Sequence, residues 1–244
     1  MLRMTGLLFL ALLLPSAAHA SPLRLATLEY PPYTSEALPS GGVIAELVTH
    51  AFASQGHSVR IDVLPWARAR AEVNNGRYQG ALPLWPKEVS EGGLNGSRPL
   101  LYSELGFFSR AGQPVRFDDL SELKGQRVGI VRGYGYPDSV LHSGFVGEEV
   151  VDDLSNLRKL VARRFDLVLL ERRVGDHLAA RHADLRDQVS WQGPVLERIP
   201  LQVGFVPPQA GQPDWAQIFE LGLQALQASG DYARILQRHG ILSP

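Results

Sequence analysis

Cysteine is absent from the 244 residues. That excludes a disulfide framework, a thiolate metal site, a cysteine nucleophile and a lipidated N-terminal cysteine. An excess of charge is lacking as well. Lys and Arg total 24 against 25 Asp and Glu, for a formal charge of −1, so no strong field points to nucleic acid or to an anionic membrane. Lysine is scarce: Lys87, Lys124 and Lys159 are the 3 among 24 basic residues. With Leu and Ala abundant, this Arg bias reflects coding composition, and a single Arg carries little functional weight. Common enzyme signatures are missing too, with no G-x-S-x-G elbow, no H-E-x-x-H and no G-x-x-x-x-G-K-[ST]. Gly133-Tyr-Gly135 lacks the third glycine of a dinucleotide loop. It is either a tight turn or a helix N-terminus whose N–H groups hold a carboxylate. His177 and His182, about 140° apart on a helix, cannot share a metal from one face. No cofactor and no metal are expected.

What is present begins with a leader. Arg3 precedes the apolar run Gly6 to Leu14, too short to span a bilayer. Ala18-His19-Ala20 is a small-residue cleavage site, so residues 1–20 are expected to be a signal peptide cut before Ser21. The mature chain is then exported to a periplasm, with no stable membrane insertion. At 45% apolar and 20% charged residues it has an ordinary globular composition.

Strand and helix patterns alternate along the first part of the chain. Strands are expected at Leu23–Leu28, Val59–Leu64 and Gly80–Leu84. Helices are expected after Gly41-Gly42 and over Trp66–Asn75. The pattern restarts with strands at Arg127–Arg132, Glu149–Val151 and Phe165–Leu170, and a last strand at Leu201–Val206 precedes two C-terminal helices. This is an α/β protein of two lobes, each a mainly parallel sheet flanked by helices. Lobe 1 is expected over 21–103 plus 205–244, lobe 2 over 110–199, and two hinge crossings at 104–109 and 200–204.

Ligands of open parallel sheets bind beyond the strands' carboxyl ends. At those ends stand Tyr30, Tyr33, Trp66, Arg68, Trp85, Arg132, Tyr134 and Glu171. Aromatic walls with a few charged groups suit a small polar organic ligand. Glu171 directly follows an apolar strand and is the sharpest expectation; a purely structural carboxylate there would pair with Arg172 or Arg173. Glu88 and Glu91 are expected to be solvated residues of a Gly-rich loop.

The chain resembles the family 3 solute-binding proteins, periplasmic receptors of polar amino acid uptake systems. The resemblance rests on several phrases in order: Leu23-Arg-Leu-Ala before Tyr30-Pro-Pro-Tyr33; Gly76-Arg-Tyr-Gln-Gly80; Ser97-Arg-Pro-Leu-Leu-Tyr102; Leu120-Ser-Glu-Leu-Lys-Gly-Gln-Arg-Val-Gly129; Phe165-Asp166; and Gly230-Asp-Tyr-Ala-Arg-Ile-Leu. It implies a two-lobed periplasmic-binding-protein fold of type II, and a monomer that contacts an ABC permease or a sensor domain in the inner membrane. It also implies that Tyr30 and Trp66 face the ligand, that Gly133 and Tyr134 offer groups to its carboxylate, and that Glu171 binds its ammonium group. One departure is plain. The segment Pro83-Leu-Trp-Pro-Lys-Glu-Val-Ser-Glu91 lacks the family's carboxylate-binding Arg, leaving Arg68, Arg132 or Lys87 as substitutes. Cyclohexadienyl dehydratases, periplasmic enzymes that resemble the same family, imply a second possibility in which Glu171 acts as a general acid.

Overall fold

The protein is described by a computed structural model over residues 22–242; the expected leader lies outside the described residues. Strand β1 (Leu23–Thr27) alternates in sequence, yet four of its five residues are buried because helices and neighbouring strands enclose it. It pairs in parallel with β2 (Val59–Val63) and β3 (Gly80–Leu84). Helices α1 (Val43–Ser54) and α2 (Trp66–Asn74) are the crossovers between them. Next come α3 (Pro86–Glu91), the short β4 (Asn95–Gly96) and β5 (Leu101–Arg110).

The second unit repeats the scheme. Its strands β6 (Arg127–Val131), β7 (Val146–Val150) and β8 (Leu167–Glu171) are parallel, with α4 (Asp138–Leu141), α5 (Asp153–Val161) and α6 (Arg172–Arg181) interleaved. Strand β9 (Val189–Phe205) returns to the first unit, where α7 (Trp215–Ser229) and α8 (Asp231–Arg238) close the chain. The strand order is β2-β1-β3-β9-β5-β8-β6-β7, with β4 on β9.

Two strands were not expected at this length. Strand β9 extends twelve residues before Leu201, and β5 is continuous through Arg110. They pair antiparallel with each other from Leu101–Leu201 to Arg110–Val189, with an irregularity between Leu105 and Phe107. Residues 104–109 and 200–201 therefore lie in the antiparallel ribbon of β5 with β9, and 202–204 in the part of β9 that pairs with β3 and β4. Leu105–Phe108 pair with β8 in one lobe, and Gln202–Phe205 pair with β3 in the other. The ribbon was hard to read because Gly193, Pro194 and Pro200 interrupt the alternation of β9.

Each lobe has its own packing centre. In the first, Phe52 meets Phe219 at 5.5 Å and Phe205 at 5.9 Å between ring centroids. In the second, Phe107, Phe108, Leu157, Leu169 and Val174 are buried. No helix of the described residues is long and apolar enough to cross a membrane.

Candidate functional site

The carboxyl ends of β1, β2, β3, β6, β7 and β8 converge between the lobes. After β1 the chain turns tightly: Tyr30 N–H donates to Thr34 O at 2.8 Å, and Tyr33 N–H to Tyr30 O at 2.9 Å. That turn stacks the two rings, 5.6 Å apart at 30°. Gly42 holds the turn on α1. Its φ is 96°, and a Cβ there would stand 2.6 Å from Tyr33 O, so only glycine fits.

Trp66 opens α2, and its Nε1–H donates to Glu88 Oε1 at 2.8 Å. Glu88 sits in the first turn of α3, so its carboxylate reaches back to the Trp85 N–H at 2.8 Å. It also accepts from the Gly135 N–H at 3.1 Å, across the lobe boundary. A Cβ on Gly135 would lie 2.5 Å from Glu88 Cγ, so that glycine makes room for the carboxylate.

From β6, Tyr134 and Tyr136 enter the same space. Tyr134 meets Tyr30 edge-on at 6.0 Å and Trp85 at 5.8 Å, and Trp85 also meets Tyr136 at 5.6 Å. The Tyr134 hydroxyl donates to Asp153 Oδ2 at 2.7 Å. Asp153 is the first residue of α5, following the N-cap Asp152. Glu171 ends β8 and caps α6, accepting from Val174 N–H at 2.7 Å, Glu104 N–H at 3.2 Å and the Tyr33 hydroxyl at 3.1 Å.

Glu88, Asp153 and Glu171 are thus all buried, and for each the loss of water outweighs the hydrogen bonds. Burial pushes Glu88 up to about 7, with lowering contributions from Trp85, Trp66 and Gly135. Asp153 is likewise pushed up to about 7, and the charges of Asp152 and Glu171 add to the effect of burial. Glu171 rises to about 7 by burial, against hydrogen bonds from Val174, Glu104 and Tyr33. Tyr30, Tyr33, Tyr134 and Tyr136 are raised too, chiefly by burial, so all four hydroxyls stay protonated.

The lobes stand closed. The gap bounded by Tyr30, Trp66, Trp85, Glu88 and Tyr134 measures about 10 Å³, room for roughly one water. A crevice of about 460 Å³ reaches Trp66 and Tyr134 from outside, past Glu29, Glu36 and Asp152. A neighbouring one of about 600 Å³ adds Asp153, His177, Arg181 and His182.

Of the expected residues, Tyr30, Trp66, Trp85, Tyr134 and Glu171 meet here. Gly133 (φ 82°) lies beside them against Ala67 and Trp66, and its carbonyl accepts from Arg70 at 2.8 Å. The loop N–H that meets a carboxylate is that of Gly135, and the carboxylate is the protein's own Glu88. Arg68 and Arg132 do not join the site. Arg68 is 66% exposed, 3.7 Å from Glu72, and Arg132 is 60% exposed and paired with Glu149 at 2.8 Å. Each lies on a solvent face where a carboxylate partner is available. Lys87 points to Asp138 at 2.5 Å. Glu88 overturns the expectation of a solvated loop residue: α3 forms and closure of the lobes removes it from water. Asp153 and Tyr136 were missed. Trp85-Pro-Lys-Glu88 does carry a helix-start signature, Pro at the first position and Glu at the third, that could have found Glu88.

No protein-family model matches the sequence, and no curated protein matches it either. Solved structures do match in fold. The ligand-binding core of GluR0 from Nostoc punctiforme in complex with L-glutamate is 18% identical, with a TM-score of 0.74 over 91% of this chain and 100% of that one. The substrate binding protein of an amino acid ABC transporter is 13% identical, with a TM-score of 0.75 over 89% and 98%. A histidine kinase sensor domain with similarity to periplasmic binding proteins is 17% identical, with a TM-score of 0.75 over 93% and 99%. At these identities the likeness is one of fold, and that fold is the two-lobed α/β periplasmic-binding-protein architecture.

Proposed function

We propose that this chain is a solute-binding protein that closes its two lobes on a small polar solute. The observation that carries this reading is the closed cleft itself. Side chains from both lobes converge at the strand ends, and the Tyr33–Glu171 and Glu88–Gly135 hydrogen bonds span the boundary. A ligand that touches both lobes favours the closed state by its differential affinity. The proposed binding residues are Tyr30, Trp66, Trp85, Tyr134 and Glu171. The apolar leader and its cleavage site support export to the periplasm. Structural relatives that serve an amino acid transporter and a kinase sensor support two partners, an ABC permease or a sensor domain. A thermal-shift screen over amino acids, amines, small carboxylates and aromatic metabolites tests the reading. A solute at a hundredfold its Kd adds about 2.7 kcal/mol of stability, whereas a screen with no shift for any solute would refute it.

A general-acid enzyme on the same fold is the second reading, favoured by the burial that keeps Glu88 and Glu171 protonated up to about pH 7. We prefer binding without turnover. Among the described residues Arg68 and Arg132 are turned to partners outside the cleft, and Lys87 is already engaged by Asp138 and the Tyr136 carbonyl, leaving little to hold a dicarboxylate such as prephenate. Product formation from prephenate or arogenate would reverse that preference.

A further inference from the structure

We infer that the solute is a small organic cation bearing N–H donors, a primary ammonium or a guanidinium, and carrying no carboxylate; this rests on the binding reading above. Two buried polar atoms in the cleft lack any partner among the described residues: Asp153 Oδ1 and the Tyr30 hydroxyl. Asp153 is 1% exposed and Tyr30 is 3% exposed. Buried polar atoms are almost always paired, and an unmet one points to a missing partner. For a carboxylate oxygen the missing partner is a donor.

The two atoms belong to one cluster. The Tyr30 ring stacks on Tyr33, whose hydroxyl holds Glu171, and meets edge-on Tyr134, whose hydroxyl holds Asp153. Two carboxylates and three phenol rings therefore share a dry space, and among the described residues neither acid has a salt bridge; Arg173 acts on Glu171 and Tyr33 only through its charge. That is a cage for a positive charge, with ring faces to attract it and oxygens to accept its N–H groups.

A ligand carboxylate has no place. The donors that would receive it (Trp66 Nε1, Trp85 N and Gly135 N) already converge on Glu88. The protein thus fills its own anion position from within. A zwitterionic amino acid would set a second carboxylate beside Glu88, where the nearest cation among the described residues, Arg70, is already engaged with Gly133 O and Glu91. Of the two crevices leading in, the one at Trp66 and Tyr134 is flanked by Glu29, Glu36 and Asp152 and by no cation among the described residues, a field that draws cations and repels anions; the one at Asp153 also carries Arg181, His177 and His182. Because the central gap is close to one water in size, the lobes part to admit the ligand.

Matched pairs that differ by one carboxylate provide the test. Agmatine is compared with L-arginine, and cadaverine with L-lysine, by isothermal titration on the mature chain at pH 8. We expect agmatine or cadaverine to bind about thirtyfold or more tightly than its amino acid, the penalty for an unpaired buried charge. Equal or tighter binding of the amino acid overturns the inference. So does binding of a neutral or anionic solute alone, which leaves the binding reading intact; if no solute binds, both fall. In D153N the affinity for the bound amine should drop about thirtyfold, and unchanged affinity would overturn the assignment of Asp153. If that variant does not fold, the matched pairs still decide the question.

Discussion

Gly135 shows how much a single missing Cβ can decide. Its N–H and its bare α-carbon admit Glu88 from the other lobe, with Glu88 Cγ 2.5 Å from where a Cβ would stand. Ala at this position must push the lobes apart, because the Glu88 backbone N is also only 3.3 Å away. We expect G135A to enlarge the radius of gyration measured by small-angle X-ray scattering and to weaken ligand binding. An unchanged radius would show that closure does not need this contact. Glu171 makes a different residue-scale argument. Both of its oxygens accept backbone N–H groups, Glu104 on one and Val174 on the other. Gln offers only one acceptor, so E171Q leaves a buried donor unmet at a cost of about 1–3 kcal/mol. Chemical denaturation should show that loss. A melting temperature that barely moves, as expected for a residue engaged only with ligand, would contradict the observed capping.

At the scale of elements, the tightest approach in the first lobe is α7 on α1. A Cβ on Gly222 would lie 2.1 Å from Ala51 O, and backbone cannot swing aside as a side chain can. G222A should cost about 1–3 kcal/mol by overpacking, read as a lower midpoint in urea with binding retained. Five of the six parallel strands were legible in sequence to within a residue or two, because alternation and short apolar runs are local signals, while β7 begins three residues before the expected Glu149. The ribbon of β5 and β9 was not, because the second strand carries Gly193, Pro194 and Pro200 and is held by pairing with a strand some ninety residues away. The site divides in the same way. Tyr30, Trp66, Trp85, Tyr134 and Glu171 stand at strand ends that can be read from the chain. Glu88 and Asp153 became functional candidates only through burial, and closure of one lobe on the other creates that burial. Arg68 and Arg132 share the strand-end positions, yet each found a surface carboxylate nearby.

The whole molecule carries its three buried carboxyls as a pH-dependent load. Glu88, Asp153 and Glu171 hold their protons up to about pH 7 in the folded cleft, while the unfolded chain releases them near the ordinary values of 4.5 and 3.8. Between those limits the native state binds more protons than the unfolded state, so stability falls as pH rises and levels off above about 7. Each group contributes about 1.4 kcal/mol for every pH unit separating its two values, shared where Asp153 and Glu171 feel each other's charge. Two sets of groups act otherwise. Glu46, Asp62, Asp119, Asp138, Asp184 and Asp231 are lowered, so their stabilising effect is lost only below the ordinary carboxylate range. His177 is lowered by burial, and its effect opposes the trend weakly as pH rises through the ordinary value of 6.5. The net expectation for the ligand-free protein is a melting temperature lower at pH 8 than at pH 5. Saturating agmatine should shrink that difference, because a bound cation stabilises the ionised carboxylates and so restores stability mainly at pH 8. Differential scanning calorimetry across pH 5 to 8, with and without agmatine, reads both effects. A melting temperature that rises steadily over this range without ligand would mean that the three carboxyls remain solvated and that the cleft stands open in solution.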